Sequence, residues 1–110
     1  MRPLQPISPR VRRTLNEVAA RFAPRGVRLF VFGSAAPTWP SAPARADLDL
    51  GYEITTTDAA RRSALQRELL RSLEDLPTVR PIDVVDFDRI PADFAAAARR
   101  EMHPLPDEHG

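Results

Sequence analysis

The sequence predicts an α/β (α+β) fold, in which helices pack mainly on one face of a small mixed β-sheet. Two apolar patterns alternate along the 110 residues. Short apolar runs bounded by Gly, Pro or Asp predict strands, and apolar residues spaced three or four apart predict helices. Elements that alternate in this way bury their apolar sides in layers. A chain of this length is expected to form one domain, 1–110, with flexible tails at 1–7 and 104–110.

The first predicted helix begins at Ser8 and Pro9. Serine is a common N-cap, and proline suits the first helical position because the N–H group that it lacks would have no partner there. The apolar stripe of this helix consists of Val11, Leu15, Val18 and Phe22. Residues 23–26 contain Pro and Gly and end the helix. Residues 27–32 are nearly all apolar, which predicts a central strand.

A proline-rich loop, a second strand and a long helix are predicted next. The loop covers 37–46, and the strand runs from Leu48 to Ile54. Thr57 or Asp58 is expected to cap the helix. The helix continues to about Leu76, and its apolar stripe consists of Leu65, Leu69, Leu73 and Leu76.

A third strand and a last helix complete the predicted fold. The strand covers 79–87, and Pro81 indicates an edge position because proline cannot donate a ladder hydrogen bond. The last helix runs from Pro91 to about Met102. Its small residues at 95–98 allow close packing against another surface, and we expect that surface to be the core of this chain.

The composition excludes several kinds of site. The sequence has no cysteine, so disulfide bonds, thiolate metal sites and cysteine nucleophiles are all excluded. A formal net charge of +1 gives no reason to expect direct binding to nucleic acid. No apolar run approaches the roughly 18 residues that span a bilayer, and the N-terminus lacks the apolar stretch of a signal peptide. We therefore expect a cytoplasmic protein with no membrane partner.

Two short motifs carry the candidate chemistry. Gly33 and Ser34 follow the first predicted strand, where glycine lets the backbone come close to a phosphate. Asp47 and Asp49 lie two residues apart at the start of the second strand, so their side chains point to the same face. At roughly 5 Å and an effective dielectric of about 20, two carboxylates repel by about 3 kcal/mol. A divalent cation removes that repulsion, and carboxylate oxygens suit magnesium.

These residues, with Asp83 on the third strand, resemble the signature of the DNA polymerase beta-like nucleotidyltransferases. The similarity is greatest to the minimal nucleotidyltransferase branch, whose members are often the antitoxin of a bacterial toxin–antitoxin pair. It covers nearly the whole chain, because the order and spacing of the elements also agree. Two features differ. Twelve residues separate Ser34 from Asp47 instead of about ten, and Ala35-Ala36-Pro37 stands where many members have an arginine.

The resemblance implies a reaction and a role for each residue. A nucleoside monophosphate, which the resemblance to this branch implies is AMP from ATP, would pass to an acceptor hydroxyl. Asp47 and Asp49 would hold two Mg²⁺ ions, and Asp83 would complete the second ion's site and accept the hydroxyl proton. Gly33 and Ser34 would bind the β- and γ-phosphates. The acceptor implied by the family is a tyrosine of a HEPN-type toxin, which this chain would neutralise as an antitoxin.

Other interpretations are open at this point. The longer loop and the absent arginine are compatible with an inactive binding module that neutralises a partner by forming a complex. The same carboxylates could serve a metal-dependent phosphodiesterase that uses water. An Asp-x-Asp pair by itself is often only a loop edge. Oligomerisation is a further expectation from the exposed apolar faces and the alanine-rich helix.

Five further side chains receive structural interpretations. Asp86 lies three residues after Asp83 and therefore on the opposite face of an ideal strand, so only one of the two is expected to join the site. Asp86 and Asp88 are expected to finish the strand and cap the last helix. Trp39 could stack on a base, but we favour a side chain folded onto the protein or onto a partner. Arg12 and Arg62 are expected on solvated helix faces.

Overall fold

A computed structural model describes residues 3–107 and confirms the mixed α+β class. The elements in chain order are β1 (Leu4–Pro6), α1 (Pro9–Phe22), β2 (Val27–Phe32), β3 (Ser41–Pro43), β4 (Leu48–Ile54), α2 (Ala59–Glu74), β5 (Ile82–Asp86), α3 (Ala92–Arg99) and β6 (His103–Leu105). Short 3₁₀ turns follow α1 and β2.

Four of the strands form the main sheet, in the order β5-β4-β2-β6. β2 is antiparallel to both β4 and β6, whereas β5 is parallel to β4. β2 is therefore central, as its nearly all-apolar sequence predicts. β5 lies at an edge, as Pro81 indicates, although the strand begins only at Ile82.

The helix boundaries follow their capping residues. The Ser8 hydroxyl accepts a hydrogen bond from the Arg10 N–H at 3.3 Å, and Pro9 is the first helical residue. At α2 the cap is Asp58, whose carboxylate accepts from the Arg61 N–H at 2.8 Å. α3 has no side-chain cap and is shorter than predicted, because it ends at Arg99 and not near Met102.

One face of the sheet, the helix face, packs against α1 and α2. Both predicted apolar stripes are buried there, which confirms them. This core contains Val11, Leu15, Val18 and Phe22 of α1, Val27, Leu29 and Val31 of β2, Leu48, Leu50, Tyr52 and Ile54 of β4, and Leu65, Leu69, Leu73 and Leu76 from α2 and the turn that follows it.

The opposite face, the aspartate face, carries a smaller aromatic cluster and the candidate carboxylates. Phe30, Phe32, Phe87 and Ala95 are buried together, so α3 packs on the core of its own chain, as expected. Phe30 and Phe87 meet edge to face at 4.7 Å between ring centroids. They lie directly over Gly51, where a Cβ atom would come within 2.6 Å of Phe87 Cε1. A larger residue at position 51 would therefore displace these rings.

The prediction of flexible tails was wrong for much of both segments. β1 pairs with β3, which itself lies inside the predicted 37–46 loop, and β6 pairs with β2. These strands have only three residues each and contain proline, so they show no hydrophobic period and look like linkers in sequence. Residues 1–2 and 108–110, which belong to the predicted tails, lie outside the described part of the chain.

Candidate functional site

Gly33 and Ser34 form a 3₁₀ turn directly after β2, and both residues are exposed. Gly33 has φ +70°, a conformation that side chains with a Cβ rarely adopt. A Cβ atom at this position would also overlap Oδ2 of Asp49. Glycine is therefore required at this position for two reasons, namely the backbone angle and the carboxylate that lies against it. The structure thus brings the two motifs of the sequence into contact.

Asp49 and Asp83 are neighbours across the sheet. They are register partners on the parallel strands β4 and β5, and adjacent strands lie about 4.8 Å apart. Leu48 and Leu50 belong to the core on the helix face, so Asp49 points to the other side. Asp47 precedes β4 and is exposed. The alternation argument therefore applies to Asp49 but not to Asp47, which lies outside the strand, and the register places Asp83 beside Asp49.

The electrostatics of Asp49 reflect this crowding. Burial raises the pKa of Asp49 above its usual value, and the charges of Asp83 and Asp47 raise it further. All three carboxylates are therefore close enough to interact. A bound cation would reverse the like-charge contribution, because it favours the ionised form of each carboxylate.

Two features of these residues suit a divalent cation, namely the type of donor atom and the adjacent backbone positions of two aspartates. Carboxylate oxygens are hard ligands of the kind that magnesium prefers, and Asp49 and Asp83 start from adjacent positions. Within residues 3–107, no set of three His, Cys, Asp or Glu side chains converges on one point closely enough to hold a metal ion. The strand register thus places Asp49 and Asp83 at adjacent positions, as a shared ion would require. The three carboxylate groups themselves do not converge on one point.

Asp86 and Asp88 do not belong to this site, and they do not cap α3. Both accept hydrogen bonds from the Arg62 guanidinium, at 2.9 Å for Asp86 Oδ1 and 2.8 Å for Asp88 Oδ2. Asp88 also accepts from the Ile54 N–H at 2.9 Å. The expected solvated position of Arg62 is corrected, because its side chain is only 15% exposed and ties α2 to the end of β5. The prediction that Asp86 faces away from Asp83 agrees with this contact.

Trp39 folds onto the protein, as we favoured, and is not a base-stacking platform. Its side chain is buried, and its indole N–H donates to Asp107 Oδ2 at 2.8 Å. Arg12 donates to both oxygens of the same carboxylate, at 3.0 and 3.1 Å, so its assignment to a solvated face was wrong. Asn16 adds a third donor to Asp107. This polar cluster joins the C-terminal segment to α1 and to the loop after β2.

Sequence reasoning missed one residue near the site. Phe94 at the start of α3 is half-exposed, and its ring lies beside Phe32. Phe32 is the register partner of Asp49. An aromatic residue near the start of a predicted helix gives no signal of its own for such a position, since the placement depends on how α3 docks on the sheet.

Comparisons with known proteins add no family assignment. No family model, curated protein or solved structure matches this chain significantly. Among residues 3–107, none of the helices combines the length and the apolar character needed to cross a membrane.

Proposed function

We propose that this protein is a magnesium-dependent nucleotidyltransferase that moves a nucleoside monophosphate, AMP from ATP, onto an acceptor hydroxyl. One observation carries the proposal. The Gly33-Ser34 turn lies against the Asp49 carboxylate, and Asp83 stands next to Asp49 on the neighbouring strand. A phosphate-binding backbone and a set of coupled carboxylates thus share one end of one face of the sheet.

Each residue has a task in the proposed reaction. The exposed backbone of Gly33 and the hydroxyl of Ser34 bind the terminal phosphates of the triphosphate. Asp47, Asp49 and Asp83 would hold two Mg²⁺ ions, which would neutralise charge and lower the pKa of the acceptor hydroxyl. Asp83 takes the proton of that hydroxyl. The acceptor oxygen forms a bond to the α-phosphorus. The bond between that phosphorus and the oxygen that bridges the α- and β-phosphates breaks, and pyrophosphate leaves.

A protein acceptor suits the shape of this site. Gly33, Ser34, Asp47 and Asp83 are all exposed, so the site lies open at the end of the sheet. An open site admits a side chain that is carried by another protein. We propose the tyrosine of a HEPN-type toxin as the acceptor, so that the protein acts as an antitoxin. The ATP that the reaction needs places this activity in the cytoplasm.

A transfer assay tests the proposal. The protein is incubated with ATP labelled at the α-phosphate, Mg²⁺ and a HEPN-type toxin as the acceptor. Label should move to the toxin, and Asp49→Asn and Asp83→Asn should each lower the rate by at least 100-fold, about 2.7 kcal/mol. Glu17→Gln is the matched control, because Glu17 is an exposed carboxylate of α1. A stable complex without label transfer would contradict the proposal and support the inactive binding module.

A further inference from the structure

Phe94 is unusual among the apolar side chains of the described residues. Within 3–107 only three large hydrophobic residues are strongly exposed, namely Leu4 (53%), Val79 and Phe94 (50%). Phe94 is the aromatic one of these three. An exposed aromatic ring next to a polar site is a common element of ligand binding, since it offers a large flat contact area.

The ring of Phe94 is held by its neighbours. Its centroid lies 6.4 Å from the centroids of both Phe32 and Phe87, which are buried. Arg99, near the other end of α3, forms an ion pair with Glu53 of β4. α3 is therefore attached to the sheet near both of its ends, and half of the Phe94 surface stays open to solvent.

The position of Phe94 relates it to the candidate site. Phe32 is the register partner of Asp49 and directly precedes Gly33, and Phe94 packs against Phe32 on the aspartate face. The exposed ring therefore lies one aromatic residue away from the phosphate-binding turn and the carboxylates. Trp39, the other aromatic residue considered for this role, is buried against Asp107.

We propose that Phe94 is the stacking surface for the base of the nucleoside triphosphate. This inference rests on the proposed function, because it assumes that the phosphates bind at Gly33 and Asp49. With the phosphates there, the base lies a ribose away, and the open ring of Phe94 receives it. Stacking needs only a π-face, so Phe94 supplies affinity for the nucleoside part of the substrate.

The test compares two ligands that differ by the nucleoside. Titration calorimetry in Mg²⁺ measures the affinity for ATP and for inorganic tripolyphosphate. Phe94→Ala should weaken ATP binding by about 5- to 100-fold, in the range found for base–aromatic stacking, and should leave tripolyphosphate binding unchanged. Phe94→Trp should keep the affinity for ATP. Leu4→Ala removes an equally exposed apolar side chain from the other sheet and should change neither affinity.

The possible results separate this inference from the proposed function. If tripolyphosphate binds but ATP binds no tighter, or if Phe94→Ala weakens both ligands equally, the stacking role is wrong and the phosphate site stands. If neither ligand binds the native protein, the proposed function is wrong and the stacking role with it. Should Phe94→Ala not fold, Phe94→Leu keeps the apolar volume without the π-face and should show the same selective loss.

Discussion

Asp49 lies between the Gly33-Ser34 turn and a second carboxylate, Asp83, on the neighbouring strand. Gly33 lies against its Oδ2 atom, and Asp83 is its register partner. Burial and two neighbouring negative charges raise its pKa. An arrangement of this kind costs folding free energy unless a cation or another positive group compensates the charge. The like charges around Asp49 are the reason for proposing a cation at this position.

Gly33→Ala should destabilise the protein by about 1–3 kcal/mol, because φ at this position is +70°. Urea denaturation of the two proteins measures the difference. An unchanged free energy of unfolding would mean that the turn adopts another conformation in solution.

A double variant separates the two causes of the destabilisation expected for Gly33→Ala, namely the backbone angle and the overlap with Asp49. In an Asp49→Ala background the overlap between the new Cβ and Asp49 Oδ2 is gone, while the backbone angle is unchanged. Gly33→Ala should therefore cost less in that background than in the native protein. Equal costs in both backgrounds would contradict the contact between Gly33 and Asp49.

Part of the arrangement of the candidate residues could be predicted from a local rule. Alternation along a strand places Asp49 opposite Leu48 and Leu50 and separates Asp83 from Asp86, but it does not position Asp47, which precedes β4. The positions of Phe94 and Asp107 could not be predicted in this way. The position of each residue depends on how a short element near the C-terminus packs against the rest of the chain. The sequence pattern within such an element does not indicate that packing.

At the scale of elements, the bounds of β2 and β4 were predicted to the residue, whereas α2 ends at Glu74 and not near Leu76. β2 and β4 begin and end where the apolar runs of the sequence do, and Ser8 and Asp58 cap their helices. The three-residue strands were missed. Their prolines suggest a linker, yet these strands lie at sheet edges, where an unpaired position needs no N–H donor.

The segment after β6 is fixed by Asp107, and its charge makes the docking dependent on pH. Burial raises the pKa of Asp107, but hydrogen bonds from Arg12, Trp39 and Asn16 outweigh this and lower it from 3.8 to about 2. A lowered folded-state pKa stabilises the fold at a pH above the unfolded-state value. This contribution, about 2.5 kcal/mol, is lost as the pH falls from roughly 5 towards 2.

Asp107→Asn should remove that contribution. The native protein should exceed the variant in free energy of unfolding by about 2 kcal/mol at pH 7, and the difference should shrink steadily below pH 4. Denaturation at a series of pH values measures both curves. A difference that is independent of pH would show that the Asp107 carboxylate is not held by charged and polar donors in solution.

For the whole molecule, the two faces of the main sheet have separate tasks. The helix face carries the larger core and both long helices, so it supplies most of the buried apolar area. The aspartate face is only partly covered by α3 and leaves Gly33, Ser34, Asp47 and Asp83 exposed. The site lies at one end of β2, β4 and β5, so strand register positions Asp49 and Asp83, whereas the adjoining turn and loop position Gly33, Ser34 and Asp47.

The most direct test of this account is the thermal stability of the protein with ATP and Mg²⁺, added alone and together. A ligand at 100 times its Kd stabilises the folded state by about 2.7 kcal/mol, which raises the Tm of a domain of this size by about 10 °C. We expect such a rise only when both are present, and we expect Asp49→Asn to abolish it while Glu17→Gln retains it. No rise at saturating concentrations, or an equal rise in Asp49→Asn, would contradict a nucleotide site at this end of the sheet.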